Sequence, residues 1–90
     1  MTTHTLDTSL DTAAAAPLRQ ELLARLELRQ PMLMDGAGVV RVGQACLQVL
    51  ASARAAAAKH SVPFAVTNPS HALSEMAALA GLATVLEPVG

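Results

Sequence analysis

Apolar residues recur along this chain in two rhythms. Thr5-Leu6-Asp7-Thr8-Ser9-Leu10 alternates, with Leu6, Thr8 and Leu10 on one side and Thr5, Asp7 and Ser9 on the other. That is the pattern of a half-exposed strand near a sheet edge. From residue 13 to 29 the spacing lengthens, and Leu18, Leu22 and Leu26 form a stripe at four-residue steps among helix formers. Asp11-Thr12 supplies an N-cap for this helix. A missing N–H is harmless only in the first helical turn, so Pro17 leaves two readings: an irregular lead-in over residues 13–16, or a regular helix starting close to Pro17. Gln30-Pro31 ends the helix, because the residue before a proline is pushed out of the α region.

Met32-Leu33-Met34 then reads as a short buried strand, and Asp35-Gly36-Ala37-Gly38 as a loop. Residues 39–42 are apolar but few, and fit a strand end or an ordered loop. The chain is organised around the junction after them: a glycine, Gly43, and then a helix over about 44–59. Its inner positions, Cys46, Leu47, Leu50, Ala53 and Ala57, recur every three or four residues. Residues 63–67 are another short buried strand, and Ser70 caps a third helix with Leu73, Met76, Ala77 and Ala80 inward and Gly81 at its end. Residues 83–86 read as a last strand. Four strands alternating with three helices predict an α/β layer fold with a mostly parallel sheet and right-handed crossovers. The expected domain runs over 5–87, with tails at 1–4 and 88–90. Its functional crevice would lie at the carboxyl ends of the strands, after Leu10, Asp35 and Val42.

Composition narrows the partners. Hydrophobic residues make up 52% of the chain and Phe64 is its one aromatic, so the core is built of Ala, Leu, Val and Met. Six basic and seven acidic residues give a net charge of −1, which supplies no field for nucleic acid or anionic lipid. Charged and amide residues interrupt every apolar window well short of the roughly 20 residues that span a bilayer. With no basic n-region at Met1-Thr2-Thr3-His4, a cytoplasmic location is expected. One cysteine, Cys46, forms no internal disulfide, which fits a reducing compartment.

The order of these elements resembles a STAS domain, the family of sulphate transporters and anti-sigma factor antagonists. The resemblance covers about Leu6 to Leu86. It rests on Leu10-Asp11 opening the first helix, Met34-Asp35-Gly36-Ala37-Gly38-Val39 before the central junction, and Asn68-Pro69-Ser70 with Ala80-Gly81-Leu82 around the last helix. The family places an aspartate, a phosphoacceptor serine or threonine, a small residue and a glycine at the start of its second helix. Aligned on Leu47, these positions hold Gly43, Gln44, Ala45 and Cys46. A glutamine side chain accepts no phosphate, so the phosphorylation switch is missing while the surface can still dock a partner. Asp11 and Asp35 match acidic positions of the family and make the rim anionic.

Each of these residues also has a plainer reading. Gln44 serves as a solvated first-turn residue, Asp11 as an N-cap, and Asp35 as a turn-former beside Gly36. Cys46 lies on the apolar face of its helix, with no base predicted beside it. Arg41, next to the junction, is a solvated cation or a contact for an acidic partner. His4, His60 and His71 have no ligand spacing, and neither a metal nor another cofactor is expected. Ser–His–Asp and Cys–His pairings and a glycine-rich phosphate loop are lacking, so the chain reads as no enzyme.

The resemblance therefore implies a protein-interaction module using Asp11, Asp35, Arg41, Gly43, Gln44, Ala45 and Cys46. One setting is an anti-sigma-antagonist-like regulator in signalling or chemotaxis, partnered by a histidine-kinase-like ATPase domain. The other is an accessory subunit docked on the ATPase of a lipid-transporting ABC complex. A small-ligand binder or enzyme is the third alternative. An exposed edge strand also offers a route to a homodimer.

Overall fold

The computed structural model describes residues 3–89. Along the chain lie β1 (His4–Thr5), β2 (Ser9–Leu10), α1 (Thr12–Glu27), β3 (Met32–Asp35), β4 (Arg41–Val42), α2 (Gln44–Lys59), β5 (Phe64–Thr67), α3 (His71–Leu79) and a 3-10 helix, Ala83–Leu86. The expected α/β architecture is present, with its strands divided between two parallel sheets: β1-β3-β5 and β2-β4. Consecutive parallel strands are joined through α1 and then α2. The two helices pack against each other, as crossovers of one hand place them on the same face.

Side chains facing these helices close the core. Met32 lies opposite Phe64 and Met34 opposite Val66, and all four are buried. Leu18 and Leu22 of α1 meet them together with Cys46, Leu47, Leu50 and Ala57 of α2. The α2 stripe follows the pattern expected from its spacing, except that Ala53 is only half-buried.

Five expectations are corrected. The alternating stretch 5–10 is not one strand: it pairs first with β3 and then, after a break, with β4. Thr5 is opposite Asp35 and Ser9 opposite Arg41, so the second segment takes six steps where the first takes four. The longer path turns at Gly36, and the Thr8 carbonyl gathers the N–H groups of both Val40 and Arg41 at 2.7 and 3.2 Å. His4, expected in a tail, is the first residue of β1; the rest of that tail, apart from Thr3, falls outside the described residues, as does Gly90.

Pro17 neither starts the helix nor follows an irregular lead-in, because α1 begins at Thr12 and runs through it. The carbonyl that loses its donor belongs to Ala13, which is solvent-exposed, so water can take the vacant bond. Residues 83–86 are a 3-10 helix rather than a strand. The edge of β5 is taken instead by Val89, which exchanges two 2.8 Å backbone hydrogen bonds with Phe64 in an antiparallel bridge. Finally, Met76 is exposed, since the buried line of α3 runs through Leu73 and Ala77, four residues apart, and passes it by.

One closure ends all three helices. Gln30, Val62 and Leu82 each donate their N–H to the carbonyl five residues back, at 2.8 Å. The residue before each is left-handed: Arg29 (φ 56°), Ser61 (φ 57°) and Gly81 (φ 74°). Only the last is a glycine.

Candidate partner-docking site

The β2–β4 pairing brings the start of α1 and the start of α2 side by side. Asp11 caps α1, its carboxylate accepting from Ala14 N–H at 3.2 Å. Gly43 stands at the equivalent place before α2 and donates its N–H to the Leu10 carbonyl at 2.8 Å, but offers no side-chain cap. The two starts are also linked directly, because Cys46 Sγ lies 3.3 Å from the Asp11 carbonyl oxygen.

Gln44 and Ala45, the first two residues of α2, are exposed, and so is Arg41 two residues before Gly43. With Asp11 exposed on the neighbouring helix start, these form one surface carrying an amide, a methyl, an anion and a cation. The first-turn N–H groups of α2 open onto it without a side-chain partner at the cap. Val40, next to Arg41 in the chain, is a 68% exposed apolar side chain.

Cys46 belongs to this junction but not to its surface. It is completely buried. Burial pushes its thiol pKa up, and the negative charges of Asp11 and Asp7 add to the effect. A protonated, enclosed thiol is a packing residue and a hydrogen-bond donor, not a nucleophile.

Asp35 stands apart from the others. It ends β3, half-buried, opposite Thr5 and Thr67, and its carboxylate accepts from Ala37 N–H at 3.0 Å. The group is used by its own turn. That turn is held by Gly36, whose N–H donates to the Thr67 carbonyl and whose carbonyl accepts from Val39 and Ser70. A loop glycine is all that the local sequence signals at Gly36; its contact with the segment before α3 comes from the fold.

Among the described residues, no group of three or more His, Cys, Asp or Glu is placed to hold a metal ion. His71 pairs with Glu75 at 3.1 Å along α3. No helix of the described residues is long and apolar enough to cross a membrane.

Against this geometry one comparison is decisive: the family model described as "Mlab, STAS domain" matches residues 3–88. The chain belongs to the STAS domain family. No curated protein and no solved structure matches it. STAS domains are, at family level, non-catalytic regulatory modules that mediate protein–protein interactions. In this STAS domain the first turn of α2, Gln44-Ala45-Cys46-Leu47, carries no hydroxyl.

Proposed function

We propose that this chain is an anti-sigma-antagonist-like regulator in bacterial signalling, chemotaxis-linked systems included. It docks a histidine-kinase-like ATPase domain in the cytoplasm through the exposed start of α2. The observation that supports this reading is the exposure of Asp11, Arg41, Gln44 and Ala45 around the start of α2. With no acceptor at Gln44, binding is regulated by the partner's state or concentration and not by phosphate on this surface.

The matched description, Mlab, favours a second reading with the same surface. In that reading the chain is an accessory subunit on the ATPase of a phospholipid-transporting ABC complex.

Affinity capture from the native cell extract, followed by mass spectrometry, tests both. An exposed first-turn side chain tolerates replacement, so Gln44→Arg should fold normally and lose the partner. Recovery of a histidine-kinase-like ATPase by the native chain alone supports the first reading. Recovery of an ABC ATPase with its membrane subunit supports the second. Equal capture by both proteins would remove the docking surface from the α2 start. Incubation with the captured kinase domain and ATP should add no phosphate to residues 44–52.

A further inference from the structure

An open groove runs between α1 and α2, beginning one turn beyond Gln44 and using neither Gln44 nor Ala45. Its volume is about 340 Å3, at the lower end of the ~300–1,000 Å3 typical of small-molecule sites. It exists because α2 presents small residues, Ser52, Ala53 and Ala56, opposite Leu22, Leu23 and Leu26 of α1. Met32 of β3 also lines it. Leu22 and Met32 are almost fully buried, so an occupant would meet the core directly.

The charged and amide side chains of the lining lie at one end of the groove, and the Ser52 hydroxyl lies one turn further along α2. Each helix joins consecutive parallel strands, so α1 and α2 run in the same general direction. Arg19 and Gln48 therefore mark the N-terminal end, and Leu26 and Ala56 the far end. Arg19 is the one charged residue in the lining, and no carboxylate lines it. Among the described residues the ion pairs engage Arg25 and His71, leaving Arg19 with none. From Arg19 to Leu26 the helix rises by about 10 Å.

An apolar trough with a single cation and an amide at one end is complementary to an amphiphile with one anionic head. We propose that the α1–α2 groove binds a free medium-chain fatty carboxylate, its head at Arg19 and Gln48 and its tail along Leu22, Leu26 and Ala53. The carboxylate would accept from the guanidinium, which can present two parallel donors. The tail would displace water from apolar surface. This inference is independent of which ATPase docks at Gln44.

Methionine methyl signals give a built-in readout, since Met32 lines the groove whereas Met76 is exposed on α3. Titration of the methyl-labelled protein with sodium decanoate below its micellar concentration should shift Met32 saturably and leave Met76 unmoved. Arg19→Gln should weaken decanoate at least about fivefold, the loss of a charge-assisted contact, and leave binding of uncharged decanol unchanged. Ala53→Phe, which fills the groove, should abolish both. An unmoved Met32 would overturn the proposal, as would equal decanoate affinity in Arg19→Gln, a surface change that leaves the fold intact. A Met32 response to phosphatidylglycerol vesicles but not to free decanoate would also overturn it.

Discussion

The thiol of Cys46 points at the backbone carbonyl of Asp11 from 3.3 Å, joining the first turn of α2 to the cap of α1. Both helix starts at the proposed docking surface are thus joined through one buried atom. Because burial raises the Cys46 pKa, the folded state holds the thiol proton more tightly than the unfolded chain. The associated stability is fully present below the unfolded thiol pKa, about 8.5, and is lost as pH rises through the folded value. A thiol-reactive dye at pH 8 should leave the native protein unlabelled and label it stoichiometrically in denaturing urea. Melts should show stability falling above that pH, and Cys46→Ala should remove this alkaline limb.

Gly36 and Leu73 are matched in shape. A Cβ on Gly36 would sit 2.9 Å from Leu73 Cδ2, 3.3 Å from Val66 Cγ1 and 3.4 Å from the Pro69 Cα, so a side chain here would force the buried Leu73 to shift. Gly36→Ala should cost about 1–3 kcal/mol, as overpacking does, and Leu73→Ala about 2–5 kcal/mol. The double variant should be destabilised by less than the sum in urea denaturation, because each change relieves the other.

Arg25 is the buried cation of α1. Its Nε donates to Glu21 at 2.7 Å, and Nη1 reaches the Pro31 and Leu33 carbonyls at 3.3 and 3.4 Å, tying the end of α1 to the start of β3. Arg25→Ala should cost about 2 kcal/mol, the scale of a hydrogen-bonded charge, and Arg25→Lys should not restore it, since a point charge lacks the fork. The hydrogen bond from Arg25 holds the Glu21 carboxyl below the usual range. That contribution is present above the unfolded glutamate pKa, about 4.3, and lost as pH falls through the folded value. Glu21→Gln should therefore lower stability at neutral pH and flatten the acid limb, the two proteins' stabilities converging as pH falls below the folded Glu21 pKa.

The three helix closures differ in how easily their residues adopt a left-handed backbone. Ser61 at φ 57° carries a cost of about 1 kcal/mol that Gly81 at φ 74° avoids. Ser61→Gly should raise stability by about 0.5–1 kcal/mol and Gly81→Ala should lower it by about 1 kcal/mol. Thermal midpoints should move in opposite directions, by about 4–8 °C per kcal/mol for a chain of this size.

Local chemistry made much of this fold legible. Residues 44–59 combine a glycine before an apolar stripe with helix formers throughout, and the helix has those bounds. Ser70 and Asp11 cap their helices as their side chains predict. Prolines are less informative: α1 has already ended at Glu27, closed at Arg29 and Gln30, before Pro31 is reached, while Pro17 is carried inside it because the packing of Leu18 and Leu22 outweighs one lost hydrogen bond at an exposed turn. The site was legible in part. The spacing from Gln44 to Leu47 locates the helix start, and Cys46 turns to the core as its place on the apolar face predicts, but Asp35, grouped with the site by the family resemblance, serves a separate loop.

What the sequence determined by itself is what depends on neighbours along the chain: the helices, their caps, the buried positions of Met32, Met34, Phe64 and Val66, and a first turn of α2 without a hydroxyl. The tertiary structure decided what depends on distant partners. The break between β1 and β2 arises from the longer path of the segment it pairs with. Val89 rather than residues 83–86 borders β5, because backbone hydrogen bonding at a sheet edge is open to whichever segment reaches it. The α1–α2 groove arises because the small side chains of one helix face the leucines of another, a pairing set by the crossover geometry and not by either helix alone.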